Sequence, residues 1–94
     1  MKVIYEIVIC NQGKVENHFF NSEKQRRKWL FDYFTIGEEK NWAWERYEQA
    51  IPLSVNISFE KYVKLMIKHK FTLKIFRIRP YKHIILRTKK VEKN

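Results

Sequence analysis

The sequence predicts an α+β fold with a four-stranded antiparallel sheet, elements in the order ββ-α-α-α-ββ, and the helices packed on one face of the sheet. Three observations support this prediction. Residues 3–20 and residues 71–88 each read as two short apolar strands joined by a turn, and three segments with helical periodicity lie between them. The length of 94 residues suits one domain, for which we predict residues 1–90, with residues 91–94 as a frayed tail.

The first hairpin is predicted from residues 3–10 and 15–20. Residues 3–10 are apolar on both alternations except at Glu6, which is typical of a strand that is covered in part on both faces. The sequence Asn-Gln-Gly-Lys at residues 11–14 favours a tight turn, because Gly13 adopts a positive φ without strain. We therefore expect two antiparallel strands at the start of the chain.

The first helix is predicted to begin at Ser22, which has capping-box spacing with Gln25, and to end at Gly37. Apolar side chains recur at helical spacing and form its buried stripe. The expected buried residues are Trp29, Leu30, Tyr33 and Phe34, and the expected outer residues are Lys24, Arg26, Arg27 and Lys28.

Two more helices follow in the prediction. Residues 38–50 favour an acidic helix that ends before Pro52, and residues 58–70 favour a helix with Ser58 as its N-cap. Trp42 and Trp44 are two positions apart, so both cannot face the same buried stripe. In the third helix the apolar face is expected from Phe59, Val63, Met66 and Ile67, and a basic stripe from Lys61, Lys64 and Lys68.

The second hairpin is predicted from residues 71–78 and 83–88, joined by a turn at residues 79–82. A regular ladder from this turn places Lys74 directly opposite Arg87. Like charges in this position destabilise a ladder by roughly 0.2–1 kcal/mol, and a bound polyanion would relieve the repulsion. The alternative is that both long side chains turn outward into solvent.

Positive charge is concentrated near the end of the chain. Residues 1–60 contain 8 Lys or Arg and 9 Asp or Glu, whereas residues 61–94 contain 12 Lys or Arg and one acid, Glu92. An AT-rich coding sequence would enrich lysine throughout, so this asymmetry favours an anionic partner for the last third of the chain. A basic surface that only contacts solvent is the alternative.

Several classes of site find no support in the sequence. Cys10 is the single cysteine, so no internal disulfide forms, and we predict a buried, unreactive thiol. His18, His69 and His83 lack metal-ligand spacing, and no glycine-rich phosphate loop is present. We expect no metal or other cofactor. No segment has the length and apolar character of a membrane span or a signal peptide, so we expect a cytoplasmic protein without a membrane partner.

The first functional hypothesis is a small, basic, non-enzymatic module that binds the phosphate backbone of nucleic acid through the third helix and the last hairpin. Tyr81, at the turn, is included because an exposed aromatic ring could stack on an unpaired base. The candidate residues are Lys61, Lys64, Lys68, Lys74, Arg77, Arg79, Tyr81, Lys82, Arg87, Lys89 and Lys90.

Three alternatives stay open. The chain could be a protein effector, encoded by a phage or mobile element, that binds and inhibits a host protein with an acidic surface. It could be a small ribonuclease or toxin, and it could form a homo-oligomer in which the acidic residues 36–60 of one copy meet the basic end of another. The ribonuclease hypothesis relies on His83 as an acid or base, together with Arg77, Arg79, Tyr81 and Arg87.

Overall fold

The computed structural model describes residues 2–50 and 56–92, and it confirms the predicted α+β fold and order of elements. Pro52 and residues 93 and 94 of the predicted tail lie outside the described residues. The four strands form one antiparallel sheet in the order β2-β1-β4-β3, with the helices on one face. The elements are β1 (Lys2–Asn11), β2 (Lys14–Phe20), α1 (Glu23–Thr35), α2 (Lys40–Ala50), α3 (Phe59–Leu73), β3 (Ile75–Arg79) and β4 (Lys82–Val91).

The N-terminal hairpin follows the prediction. Gln12 and Gly13 have φ angles of 51° and 81°, which are the two successive positive angles of a tight hairpin turn. β1 is a central strand, between β2 and β4. Ile7 is buried on the face towards the helices and Glu6 on the opposite face, so β1 is covered on both faces as its sequence indicated.

The helix ends also follow from local chemistry. The Ser22 hydroxyl accepts a hydrogen bond from the Gln25 amide at 3.2 Å, and the Ser58 hydroxyl accepts one from the Lys61 amide at 3.2 Å. Gly37 follows α1 because its backbone runs close to the helix. A Cβ atom at this position would lie 2.8 Å from Tyr33 Cα, so only glycine fits without a shift of the backbone.

The hydrophobic core lies between the sheet and the helices. The Phe34 ring of α1 is fully buried and lies 5.4 Å from the Phe76 ring and 5.5 Å from the Trp42 ring. Trp44 is 44% exposed, which agrees with the expectation that the two neighbouring tryptophans cannot share one stripe. The other fully or nearly fully buried apolar residues in this core include Ile7, Ile9, Leu30, Val63, Ile67, Ile84 and Leu86.

The C-terminal hairpin differs from the prediction in its register. The helix α3 continues to Leu73, and Lys74 has a φ of 60°, so the chain reverses there and β3 begins only at Ile75. Arg79 and Lys82, predicted as turn residues, pair at the ends of β3 and β4, and a register shift follows between Arg79 and Arg77. This shift is a β-bulge, which places one extra residue in β3.

The bulge moves the rest of β3 by one position. Phe76 therefore pairs with Ile84, and these two fully buried side chains share the core face. The predicted pairing of Lys74 with Arg87 is wrong, because Lys74 precedes the strand. Across β1, Arg87 is paired instead with Glu6, a residue of opposite charge.

Candidate nucleic-acid interface

The predicted site residues lie in separate parts of the structure. Lys61, Lys64 and Lys68 are exposed on α3, whereas Arg77, Arg87 and Lys89 lie on the strands β3 and β4. Sequence alone indicated one continuous basic surface, and the fold instead divides these side chains between the helix layer and the sheet. The remaining candidates are Arg79, Tyr81 and Lys82 at the β3–β4 turn, Lys74 before β3, and Lys90 near the end of β4.

Five cationic side chains of the helix layer line a groove between α1 and α3. On α1, residues 24, 27, 28 and 31 project from one side, since they are spaced by three or four positions. The stripe of residues 64 and 68 on α3 forms the facing wall. We name this feature the α1–α3 groove, lined by Lys24, Arg27, Lys28, Phe31, Lys64, Ile67 and Lys68.

Few acidic groups neutralise the positive charge of the groove. Arg27 Nη2 lies 2.9 Å from Glu23 Oε1, and Lys28 Nζ lies 3.4 Å from Asp32 Oδ2. Both are exposed pairs within one helix, which contribute roughly 0.3–0.5 kcal/mol and exchange readily for other anions. The other three cations of the groove are lysines without such a partner. Within residues 2–50 and 56–92, no acidic side chain lies within 4.0 Å of Lys24, Lys64 or Lys68. The groove therefore keeps a net positive charge.

The floor of the groove is apolar. Lys64 Nζ lies 5.6 Å from the centre of the Phe31 ring, close enough for a cation–π contact. Ile67 is buried beneath the lysines with 4% exposure. Such a floor supports the lysine methylene chains while their ammonium groups stay in solvent.

The sequence-based site omitted three of the five groove cations, namely Lys24, Arg27 and Lys28. Their placement on the outer side of α1 was predictable, but the packing of α1 beside α3 is a tertiary contact without a local signal. The prediction that Arg26 also lies on the outer side of α1 is wrong. This residue is buried with 5% exposure, and its Nη1 donates to the backbone oxygen of Arg87 at 2.9 Å. Burial lowers the pKa of the Arg26 guanidinium.

Lys82 and Arg79 are held by a buried carboxylate. Lys82 is 2% exposed, and its Nζ donates to Glu39 Oε2 at 2.6 Å and to the Tyr33 hydroxyl at 2.8 Å. Arg79 Nη1 donates to the same Glu39 oxygen at 3.1 Å. These contacts connect the β3–β4 turn to α1 and to the residue before α2, so both cations stabilise the fold.

The pKa values of this cluster favour the charged pair. Burial raises the pKa of the Glu39 carboxyl, but hydrogen bonds from Arg79 and Lys82 outweigh it and leave a lowered pKa. Burial lowers the pKa of Lys82, but its hydrogen bonds to Glu39 and Tyr33 outweigh that effect and leave a raised pKa. Burial raises the pKa of the Tyr33 hydroxyl to about 12. Glu39 and Lys82 therefore stay charged across the neutral range, and the Tyr33 hydroxyl stays neutral.

A second buried carboxylate holds two cations on the sheet. Glu6 is 1% exposed and accepts hydrogen bonds from Asn17 Nδ2 at 2.7 Å and from Arg87 Nε at 3.1 Å. Lys89 Nζ lies 3.6 Å from the same carboxylate. Burial raises the pKa of Glu6, but these hydrogen bonds and the two positive charges outweigh it, so its pKa is lowered. Arg87 and Lys89 are thus partly neutralised.

The residues of the ribonuclease hypothesis are dispersed. Arg77 lies directly opposite His83, but Arg87 is four residues further along β4, or about 13 Å at ordinary strand rise. Cys10, predicted to be buried, is only half-buried and is paired with His83 across β1 and β4. In the described part of the chain, no three His, Cys, Asp or Glu side chains are grouped so that they could hold a metal ion.

Comparisons with models of protein families, with curated proteins and with solved structures found no match to this chain. Among the described helices, none combines the length and the apolar character that crossing a membrane requires.

Proposed function

We propose that this chain is a non-enzymatic nucleic-acid-binding module that holds a phosphate backbone in the α1–α3 groove. The observation that carries the proposal is the convergence of five Lys and Arg side chains from two helices on one groove. Within residues 2–50 and 56–92, Arg27 and Lys28 are the two of these five cations with an acidic side chain within 4.0 Å, and both partners are exposed neighbours on the same helix.

The expected mechanism is electrostatic. Lysine ammonium groups are compact point charges on flexible stems, so they contact phosphate oxygens without demanding one base sequence. Cations on both walls can flank a single backbone strand, and each neutralised phosphate releases counterions into solution. Binding is therefore expected to depend steeply on salt and weakly on sequence.

The test compares the wild-type protein with the triple variant Lys24→Gln, Lys64→Gln and Lys68→Gln. Affinities for single- and double-stranded DNA and RNA of one length are measured by fluorescence anisotropy from about 50 to 200 mM salt, the range over which backbone contacts have large effects. The salt slope of the variant should fall by up to about three units, roughly one for each lost phosphate contact.

The matched control removes the same amount of charge elsewhere. Lys2, Lys14 and Lys40 are exposed and lie outside the groove, so their replacement by Gln should reduce the slope much less. An equal reduction of the salt slope in the two triple variants would show that only net charge matters and would refute the groove as the binding site. Absence of binding at 50 mM salt by the wild-type protein would reject the function as a whole.

A further inference from the structure

The face of the sheet opposite the helices has a different chemistry from the groove. Side chains alternate between the faces of each strand, so the observed register fixes which residues share this face. We call it the open sheet face, and its members are Lys2, Ile4, Glu6, Val8, Cys10, Val15, Asn17, Phe19, Ile75, Arg77, His83, Ile85, Arg87, Lys89 and Val91.

The open sheet face combines exposed apolar side chains with arginines. Phe19 is 59% exposed and Val15 is 63% exposed, both on the edge strand β2. At the centre of the face Val8 pairs with Ile85, and Val8 is 6% exposed. Aromatic and arginine side chains around an apolar centre are typical of protein–protein interfaces, in contrast to the lysine-rich groove.

The large aromatic rings that serve as stacking platforms for unpaired bases are scarce on this face. Phe19 is the one phenylalanine, tyrosine or tryptophan that the register places on this face. Aliphatic side chains such as Val15 and Ile85 offer contact area but no π-face. The composition therefore favours a protein partner for this surface over a single-stranded nucleic acid.

Glu6 orients a cationic group at the middle of this surface. It accepts from Arg87 Nε, and within the described residues the two terminal nitrogens of Arg87 have no partner. The Arg87 side chain is 53% exposed, and Lys89, also held near Glu6, is 50% exposed. A guanidinium fixed through Nε presents its outer edge to an incoming carboxylate with less loss of side-chain freedom.

We propose that the open sheet face docks a protein partner that presents aspartate or glutamate carboxylates among apolar side chains. The charges are complementary, because four cations, Lys2, Arg77, Arg87 and Lys89, outnumber Glu6, the one acid that the register places on this face. Of these cations, Arg87 and Lys89 contact Glu6. A second copy of the chain would bring the same excess of cations to the interface, which disfavours self-association through this face. The inference is independent of the groove and its nucleic acid.

The experiment uses a displayed library of random 16-residue peptides selected against the full-length protein in the presence of nuclease. The selected peptides should be rich in Asp and Glu together with Leu, Ile, Phe or Trp. Two variants test the site, Phe19→Ser and Arg77→Glu, because both side chains are exposed and neither holds Glu6. Each should bind a selected peptide at least about tenfold more weakly.

The control is the double variant Lys64→Gln and Lys68→Gln, which changes the groove and should leave peptide affinity unchanged. Circular dichroism verifies that every variant is folded. The proposal is overturned if no peptides are enriched, if the enriched peptides are neutral or basic, or if their binding depends on the groove and not on Phe19.

Two further outcomes assign the face to another occupant and also overturn the proposal. Binding of the oligonucleotides oligo(U) or oligo(dT) that Phe19→Ser abolishes and the groove variant preserves would make it a nucleic-acid surface. A dimer in sedimentation experiments that Phe19→Ser dissociates would show that a second copy covers the face.

Discussion

Replacement of Arg87 by glutamine should destabilise the protein. From the sequence, loss of a like-charge pair with Lys74 would leave stability unchanged or raise it. In the structure Arg87 faces Glu6 instead, and its Nε donates a hydrogen bond of 3.1 Å to a carboxylate that is 1% exposed. The substitution removes a positive charge and a donor from a buried anion, which is costly when the anion remains.

The size of the stability loss depends on the contacts that the Glu6 carboxylate retains after the substitution. A hydrogen bond to a charged group contributes about 1.5–3 kcal/mol, and Asn17 and Lys89 still serve the carboxylate after the substitution. Because the Arg87 side chain is 53% exposed, solvent screens part of its interaction. We therefore expect a loss of about 1–2 kcal/mol, which lowers the melting temperature by roughly 5–12 °C for a domain of this size.

The assay is urea denaturation followed by tryptophan fluorescence, with Trp29 and Trp42 as half-buried reporters. Lys74→Gln is the control, since Lys74 is exposed and should change stability by less than about 0.5 kcal/mol. In a Glu6→Gln background the cost of Arg87→Gln should shrink, because no buried charge remains to be compensated. An Arg87→Gln variant as stable as the wild type would refute the role assigned to the Glu6 contact.

Two other predictions concern stability. Gly37→Ala should cost about 1–3 kcal/mol in urea denaturation, because its Cβ would lie 2.8 Å from the backbone at Tyr33 Cα, and an unchanged midpoint would contradict this close approach. Stability should also fall in acid: Glu6 and Glu39 have folded pKa values below the unfolded value of 4.5, so their contribution is present above pH 4.5 and is lost as the pH falls through the folded values. Thermal melts from pH 7 to pH 3 should show this loss, and Glu6→Gln should flatten it, whereas parallel curves for the two proteins would argue against the assignment.

The periodic and locally capped parts of the fold were predictable from the sequence. Ser22, Gly13 and Ser58 each act through contacts with residues within a few positions, so their signals are local. The apolar stripes of α1 and α3 needed only helical spacing. The same locality explains why both N-terminal strands were predicted within one residue of their observed ends.

The second hairpin was harder because two features compete in its sequence. Residues 71–73 suit a strand by composition, but α3 extends through them and the chain reverses at Lys74. The bulge before Arg79 then shifts the pairing of β3 with β4 by one residue. As a result, each side chain of β3 from Arg77 back to Ile75 lies on the face opposite to the one predicted relative to β4. The burial of Glu39, Glu6 and Arg26 depends on partners 20 to 81 residues away, and no local pattern indicates such contacts.

The asymmetry of charge along the chain has a structural cause as well as a functional interpretation. Four of the cations in the last third, Arg79, Lys82, Arg87 and Lys89, contact Glu6 or Glu39, which belong to the first 60 residues. The two segments therefore differ in charge partly because each supplies one half of the buried ion pairs that connect them.

The positive charge that lines the groove consequently does not follow the distribution of charge along the sequence. Three of the five groove cations, Lys24, Arg27 and Lys28, come from the segment whose net charge is close to zero. Their acids are either exposed neighbours, such as Asp32, or committed elsewhere in the fold, such as Glu6. The fold thus creates a basic groove from a nearly neutral segment, while a strongly basic segment supplies much of the charge that holds the sheet and helices together. For this reason the proposed nucleic-acid site lies in the helix layer and not on the hairpin where the sequence charge is greatest.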